Sequence, residues 1–183
     1  TGTKCLRARG MWSMADFTIS SGDYIRPYKS PWGSFPMNSI GESTGATFLY
    51  GDVLELSTVV STNHHRAVRA STSGSTCIST SIIGIAATAA SSVQDTPISY
   101  YEANRNVDFW ARTRGGLLQS SCVDSSYGLF RDSTKNVWLV DLGNRVDTSC
   151  RVLVTKLVDA VADSGCAVLF RFGSTNSTLS AIA

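Results

Sequence analysis

Short apolar runs separated by turn-forming residues limit the fold of this sequence more than any other feature. From residue 46 to residue 172, runs rich in Val, Ile, Thr and aromatic residues recur roughly every 10 to 15 residues. The separators are typical turn pairs: Gly51-Asp52, Ser73-Gly74, Gly115-Gly116 and Gly143-Asn144. Because such runs are too short for ordinary helices, the pattern predicts an all-β protein, built as a small β-barrel, a β-tulip-like domain or a sandwich.

One predicted strand is ambiguous. From Arg151 to Asp163 the apolar residues also fit one face of a helix, but the turn Asp163-Ser164-Gly165 and the β-type run after it favour a long bent hairpin. The predicted strands are Ala46–Tyr50, Val53–Thr58, His65–Ala70, Cys77–Ala87, Pro97–Glu102, Val107–Thr113, Gln119–Val123, Gly128–Arg131, Val137–Leu142, Arg151–Ala160 and Ala167–Phe172.

Composition supports the all-β prediction and excludes several other classes. Of the 183 residues, 27 are Ser and 18 are Thr, whereas three are Glu and four are Lys. Helical bundles and coiled coils need many Glu and Lys residues, so they are excluded. The formal net charge of +2 is too small to indicate a specific nucleic-acid partner. No run of 18 apolar residues occurs, so no membrane-spanning helix is predicted.

Residues 1–45 differ from the rest of the chain and are predicted to form an extended N-terminal arm, followed by a β domain at residues 46–183. The arm holds three of the four prolines, and proline fixes φ and withholds a backbone donor. Its aromatic side chains need a surface to bury them, either on the β domain of the same chain or on a neighbouring subunit. The predicted contact residues of the arm are Tyr24, Tyr28, Trp32 and Phe35.

Catalytic motifs are weak in this sequence, and no catalytic residue is predicted. Gly41-Glu42-Ser43-Thr44-Gly45 matches the G-x-S-x-G pattern of hydrolases, in which the serine lies on a turn from a strand into a helix. Here a β-type run follows, and the only histidines, His64 and His65, lie too close to Ser43 in sequence for a triad of that fold. We interpret the pentapeptide as a turn of small residues and predict that the chain is not an enzyme.

No metal or cofactor site is predicted. His64 and His65 are adjacent, so on a strand they point to opposite faces and cannot easily share one metal ion. No Walker-type or G-x-G-x-x-G phosphate-binding loop occurs. The cysteines are odd in number and lack C-x-x-C spacing, which argues against zinc ribbons and disulfide frameworks. Reduced, buried thiols are therefore expected at Cys5, Cys77, Cys122, Cys150 and Cys166.

One stretch of the β region resembles a known family. The residues that carry the resemblance lie in a Gly-Asp-Val strand, in an Ile-Gly-Ile-Ala strand and in the strands around them. This succession is similar to the small β domains of capsid decoration (cement) proteins of tailed bacteriophages. The segments are Gly51–Leu56, His65–Ala70, Ile82–Ala87, Ile98–Ala103 and Val107–Arg112.

The resemblance implies a non-enzymatic virion protein. Decoration proteins bind the outer surface of an icosahedral shell and brace the capsomer junctions against the pressure of packaged DNA. The expected partner is then the major capsid protein, and the expected oligomer is a homo-oligomer, with a trimer favoured. The expected location is the outer capsid surface of the virion, after assembly in the host cytoplasm. No cofactor, membrane or specific nucleic acid is expected.

Three alternatives stay open. The chain fits another virion component, such as a tail or head-fibre protein, which would be present in far fewer copies. It also fits a carbohydrate-binding β-sandwich in which Trp12, Trp32, Trp110 or Trp138 stacks on sugars. A hydrolase that uses Ser43 is the third alternative, and Ser43→Ala would abolish its activity.

Overall fold

The computed structural model describes residues 19–57, 65–116, 119–145, 152–159 and 165–173. Within these residues the all-β prediction is confirmed, because the chain forms thirteen strands and a single turn of 3-10 helix at Ser120–Cys122. No helix in them is long and apolar enough to span a membrane. The strands are β1 (Arg26–Lys29), β2 (Met37–Gly41), β3 (Val53–Leu56), β4 (Ala67–Arg69), β5 (Thr72–Ser73), β6 (Thr76–Cys77), β7 (Ile82–Ala86), β8 (Pro97–Glu102), β9 (Asp108–Arg114), β10 (Ser126–Asp132), β11 (Val137–Asp141), β12 (Val152–Leu157) and β13 (Ala167–Phe172).

Five of these strands, β9 to β13, close into a barrel. β9 pairs with β13, β13 with β12, β12 with β10 and β10 with β11, always antiparallel. β11 then pairs with β9 in parallel, which closes the ring. Closure of the ring removes the edges between these five strands, whereas β1 and β5 are the outer edges of the extended sheet. Two additions extend the sheet: β1 pairs with β9, and the hairpin of β5 and β6 attaches to β10.

Side chains alternate between the inside and the outside of the barrel along its strands, and the inward ones fill the interior. Phe109 on β9 and both Phe170 and Phe172 on β13 are fully buried. Their rings contact one another at centroid distances of 5.3 to 5.8 Å. Because successive side chains of a strand point to opposite faces, the intervening Arg112 and Arg171 lie on the outside of the barrel.

The remaining strands form an antiparallel sheet in the order β2-β8-β7-β3-β4. An isolated parallel bridge between Glu42 and Ala67 joins the chain after β2 to β4, so the two edges of this second sheet meet at one end. β7 is buried along its whole length because both faces of the sheet are covered. Ile82 and Ile85 belong to the core shared with the barrel, whereas Ile83 belongs to a smaller core.

A buried hydrogen bond joins the second sheet to the barrel. Trp138 on β11 is the largest fully buried side chain of the described residues, and its Nε1 donates to Oδ1 of Asp52 at 2.8 Å. Asp52 stands directly before β3, and its Oδ2 accepts from the backbone N–H of Leu49 at 2.8 Å. Burial raises the pKa of Asp52, although both donors and the positive charges of Arg131 and Arg69 oppose this effect.

Most predicted strands are confirmed, and Pro97–Glu102 and Ala167–Phe172 have the predicted bounds. The segment that also fitted a helix contains strand β12, which pairs antiparallel with β13. A register shift between Val154 and Lys156 interrupts this pairing. Such a shift breaks strict alternation, which explains why the sequence pattern of this segment was ambiguous.

Two predicted strands are wrong. Ala46–Tyr50 is a loop, because Phe48 packs in the smaller core of the second sheet and the N–H of Asp52 closes a tight turn on the carbonyl of Leu49. Gln119–Val123 contains the 3-10 turn instead. The predicted strand Cys77–Ala87 is divided, since β6 ends at Cys77 and β7 begins at Ile82.

The N-terminal segment contributes two strands that were not predicted. β1 pairs with β9 at the edge of the barrel sheet, and β2 pairs with β8 at the edge of the second sheet. Ile25, directly before β1, is fully buried in the shared core. Residues 1–18 lie outside the described residues. The division of the chain at residue 45 stays a prediction.

The prediction of reduced cysteines is wrong for Cys77, which is disulfide-bonded. Cys122 and Cys166 are buried thiols, as predicted. Cys5 and Cys150 lie outside the described residues. Spacing along the chain does not reveal such a bond, because folding brings together cysteines that are far apart in sequence.

Replacing Asp52 with Asn is expected to lower the free energy of unfolding by about 1–3 kcal/mol. Two N–H donors face the carboxylate, and an amide oxygen accepts one of them while its NH₂ group opposes the other. Urea unfolding measures the change. Asp124→Asn is the control, because Asp124 is exposed and Asn tolerates its positive φ of 59°. Equal effects of the two substitutions would contradict the role given to Asp52.

Stability should also depend on pH through Asp52. Burial raises the pKa of Asp52 in the folded state above the ordinary value of 3.8, so the folded protein holds this proton more tightly than the unfolded chain does. The stability that this group contributes is therefore fully present below pH 3.8 and is lost as the pH rises through the folded pKa. We expect the free energy of unfolding of wild type, relative to Asp52→Asn, to decrease over that range. A difference that grows with pH would contradict a raised pKa.

Candidate contact surface

The N-terminal segment crosses the surface from one sheet to the other. Ile25 anchors its start in the core, and β1 and β2 attach it to the barrel and to the second sheet. Between these strands, a turn is closed by the N–H of Gly33, which donates to the carbonyl of Ser30. The four predicted contact residues lie along this path. Tyr24 and Phe35 are packed on the chain, whereas Tyr28 and Trp32 are exposed.

Tyr24 and Phe35 pack against their own chain. The ring of Tyr24 meets Tyr50 edge-on at a centroid distance of 4.7 Å and lies so close to Gly51 that a side chain there would collide with it. Phe35 meets Tyr101 edge-on at 6.2 Å and packs on the shared core. Burial and a hydrogen bond with Tyr101 raise the pKa of Tyr50. Because this hydrogen bond links the Tyr24–Tyr50 pair to the Phe35–Tyr101 pair, the four rings form one connected row. This row fastens the segment to the β structure below it.

Tyr28 and Trp32 face the solvent, with relative exposures of 57% and 56%. Trp32 is in the turn that begins at Ser30, directly after Pro31, whose ring presets the backbone for the second turn position. The backbone N–H of Trp32 donates to Oγ of Ser30 at 3.3 Å. Met37, at the start of β2, is also exposed. The turn therefore presents the indole outward on a constrained backbone.

A tight turn before β3 adds two exposed apolar side chains, Leu49 and Tyr50, that the sequence analysis missed. The side chain of Asp52 holds this turn from inside, and Gly51 takes a positive φ of 82° that glycine adopts readily. The contact between Tyr50 and Tyr24 places the turn beside the N-terminal segment. The sequence signal was the Leu-Tyr-Gly-Asp turn itself. We call the exposed apolar side chains of the segment and the turn the aromatic face: Tyr28, Trp32, Met37, Leu49 and Tyr50.

Charged contacts hold the start of the segment on the barrel. Arg112 on β9 pairs with Asp23 at 3.1 Å and with Asp159 at 3.2 Å. Burial opposes the ionisation of Asp23, but hydrogen bonds from the chain just before it and from Arg112 outweigh burial and lower its pKa. The guanidinium of Arg26 on β1 lies over the ring of Trp110 on β9, at 4.4 Å from the centroid. Position and orientation of β1 are therefore fixed by both charge and stacking.

The four tryptophans differ sharply in exposure. Trp138 is fully buried and Trp110 is 8% exposed, so neither presents a face on which a sugar ring can stack. Trp12 lies outside the described residues. Trp32 is the one exposed tryptophan in the described part of the chain.

Among the described residues, those considered for hydrolysis lie in loops and turns, and the structure does not bring them together as a catalytic triad. Ser43 lies in the loop between β2 and β3, where the described chain continues into further loop and then strand rather than a helix. His65 is exposed before β4, and His64 lies outside the described residues. The carboxylate of Glu42 is fully buried and accepts hydrogen bonds from the backbone N–H groups of Ser91 and Val93. Glu42 therefore holds that loop in place.

Other buried acids are also bound to protein partners. Asp108 accepts hydrogen bonds from Nε and Nη2 of Arg171 at 2.7 and 3.3 Å and from the hydroxyl of Thr155 at 3.0 Å. Glu55 accepts from the hydroxyl of Ser71. Among the residues that the structure describes, no group of three or more His, Cys, Asp or Glu side chains is placed to hold a metal ion.

Stability measurements can separate the exposed from the packed aromatic residues. Tyr28→Ala and Trp32→Ala are expected to change the free energy of unfolding by less than about 0.5 kcal/mol, as exposed positions do. Phe35→Ala is expected to lower it by about 1–3 kcal/mol, because apolar area is lost from the core. Urea unfolding of the three variants measures these changes. A loss for Trp32→Ala as large as that for Phe35→Ala would show that Trp32 is packed and would contradict its exposure.

Comparison with protein-family models, with curated proteins and with solved structures yields no match. The resemblance of residues 51–114 to capsid decoration proteins stays a hypothesis.

Proposed function

We propose that this chain is a non-enzymatic virion protein that binds the outer surface of an icosahedral phage capsid and stabilises the capsomer junctions. The proposed partner is the major capsid protein, and the proposed contact surface is the aromatic face. A homo-oligomer, with a trimer favoured, belongs to the proposal, because a symmetric oligomer presents the same face several times to a repeating shell.

The exposure of Trp32 is the observation that carries this proposal. Tryptophan is the residue type most enriched among the anchors of protein interfaces, where it fills a pocket on the partner. Because the turn after Ser30 constrains the backbone of Trp32 before any partner binds, little conformational entropy is lost on binding. Tyr28 and Met37 are exposed on the same short segment, so the partner would cover several apolar side chains together.

The edge strands beside Trp32 differ in how readily they accept another strand. β1 contains Arg26, Pro27 and Lys29, and charges and proline on an edge discourage pairing. β2 (Met37–Gly41) contains neither a charged residue nor proline, and in the described ranges its outer edge pairs with no strand before the bridge from Glu42 to β4. A segment of the capsid protein can add to β2 through main-chain hydrogen bonds while its side chains meet the aromatic face.

Modest contacts are sufficient for a protein that binds a shell at several points. A contact confined to the five side chains of the aromatic face would bury a small area and would bind weakly alone. An oligomer that engages several capsomers at once makes the later contacts intramolecular, which raises the overall affinity without new residues. The same linkage opposes separation of the capsomers.

Binding of the purified full-length chain to phage particles that lack it tests the proposal. Trp32→Ala is expected to weaken binding about tenfold or more, which is the usual effect of truncating an interface anchor. Ile78→Ala is the matched control, because Ile78 is 49% exposed but lies after β6, outside the aromatic face. Substitutions are preferable to deletion of the segment, since deletion also removes the buried Ile25. Unchanged binding of Trp32→Ala would contradict the proposed contact surface.

A carbohydrate-binding β protein is the second candidate, because the exposed indole of Trp32 can also stack on a sugar ring. A glycan array with wild type and Trp32→Ala separates the two functions. Sugar binding that is lost in Trp32→Ala, together with no binding to particles, would replace the capsid proposal. A tail or head-fibre protein would use the same face on a different partner and is distinguished by its copy number.

A further inference from the structure

An open pocket of about 290 Å³ lies beside the second sheet. Its walls are the loop at residues 44–47 and the chain at residues 68–72, which runs from β4 to β5. One charged side chain, Arg69, lines it, and no acidic side chain does. The other polar side chains of the lining are hydroxyls: Thr44, Thr47, Ser71 and Thr72.

Two of the four hydroxyl groups are available to a ligand. Thr44 and Ser71 already donate their hydroxyl protons to other side chains of the protein. For the side-chain hydroxyls of Thr47 and Thr72, the described residues supply no hydrogen-bond partner. They can therefore donate into the pocket.

Arg69 brings a positive charge that no carboxylate neutralises directly. Its Nη1 donates to the carbonyl of Thr47 at 3.2 Å, and it forms no ion pair with any acid in the described part of the chain. The charge of Arg69 acts on Asp52 and opposes the rise of its pKa on burial, but the carboxylate oxygens of Asp52 accept hydrogen bonds from the N–H groups of Leu49 and Trp138. Among the described residues the remaining N–H donors of Arg69 have no partner, so they can bind a ligand.

A second arginine adds to this positive charge. Arg131 on β10 donates from Nη2 to Asn136 at 3.0 Å, while its buried Nε has no hydrogen-bond partner within the residues described. Burial and the nearby charge of Arg69 lower the pKa of Arg131. Arg69 lines the pocket, Arg131 is close enough to repel it, and Asp52 offsets part of this positive charge. An anion bound at Arg69 would reduce the remaining repulsion.

We propose that this pocket binds an oxyanion group through the guanidinium of Arg69 and the hydroxyls of Thr47 and Thr72. Phosphate, sulfate and carboxylate all present paired oxygens to the fork of N–H donors on an arginine. The source is a free inorganic ion or the carboxylate of an acidic side chain on a neighbouring chain. This site does not depend on the proposed capsid function, and its test uses the isolated protein.

Thermal unfolding of the full-length chain in sodium phosphate, sulfate or acetate, compared with sodium chloride at equal ionic strength, tests the site. An anion that binds the folded state raises Tm by mass action. Phosphate and sulfate also stabilise proteins generally, so the informative quantity is the difference between wild type and Arg69→Gln. Arg105→Gln is the matched control, because it removes an equally charged, exposed side chain from the turn before β9.

Arg69→Gln is expected to weaken the anion about tenfold or more and to remove the specific rise in Tm, whereas Arg105→Gln keeps it. A specific rise with phosphate or sulfate assigns the site to an inorganic ion, and a rise with acetate alone assigns it to a carboxylate. Equal shifts in wild type and Arg69→Gln, or no specific shift with any anion, would overturn the proposal. If Arg69→Gln fails to fold, Thr72→Val and Arg69→Lys replace it, and each should weaken binding several-fold.

Discussion

The hydrogen bond from Trp138 to Asp52 is the contact on which the two sheets of this chain depend. Trp138 fills the core from the barrel, and Asp52 directly precedes β3, an inner strand of the second sheet. The other oxygen of the same carboxylate holds the turn at Leu49 that exposes Tyr50. Since Tyr24 packs on Tyr50, a buried carboxylate also supports the aromatic face at the surface. Core stability and surface geometry are therefore coupled through one residue.

Strand positions were largely predictable because alternation and turn residues are local signals. β8 and β13 have the predicted bounds, since Asp95 and Asn104 lie close to the ends of β8, and Gly165 and Gly173 lie close to the ends of β13. β1 and β2 were not predictable from local signals: proline and charged residues mask β1, and β2 contains only one β-branched residue. Both strands are stabilised by pairing with distant strands. The run Ala46–Tyr50 has strand-like composition, but it forms a loop whose Phe48 is buried in the smaller core of the second sheet. Only tertiary packing decides between these outcomes.

The candidate surface was only half accessible to sequence reasoning. An aromatic, proline-rich segment was identifiable from composition, and so were its four aromatic residues. Which of them point outward was not, because the packing partners Tyr50 and Tyr101 lie far along the chain. The pocket at Arg69 was invisible for the same reason, since its walls come from two separate segments. The pocket is recognised by which of its side chains already have hydrogen-bond or ion-pair partners, and a sequence does not contain this information.

If a phage encodes this chain, as proposed, quantitative mass spectrometry of its gradient-purified particles most directly tests whether the chain is a shell protein. The ratio of this chain to the major capsid protein is the measured quantity. If the chain braces capsomer junctions, we expect on the order of hundreds of copies per particle, near one copy per capsid subunit or one trimer per junction. A handful of copies would place the chain on the tail or at a vertex, and its absence from the particle would contradict a virion function altogether.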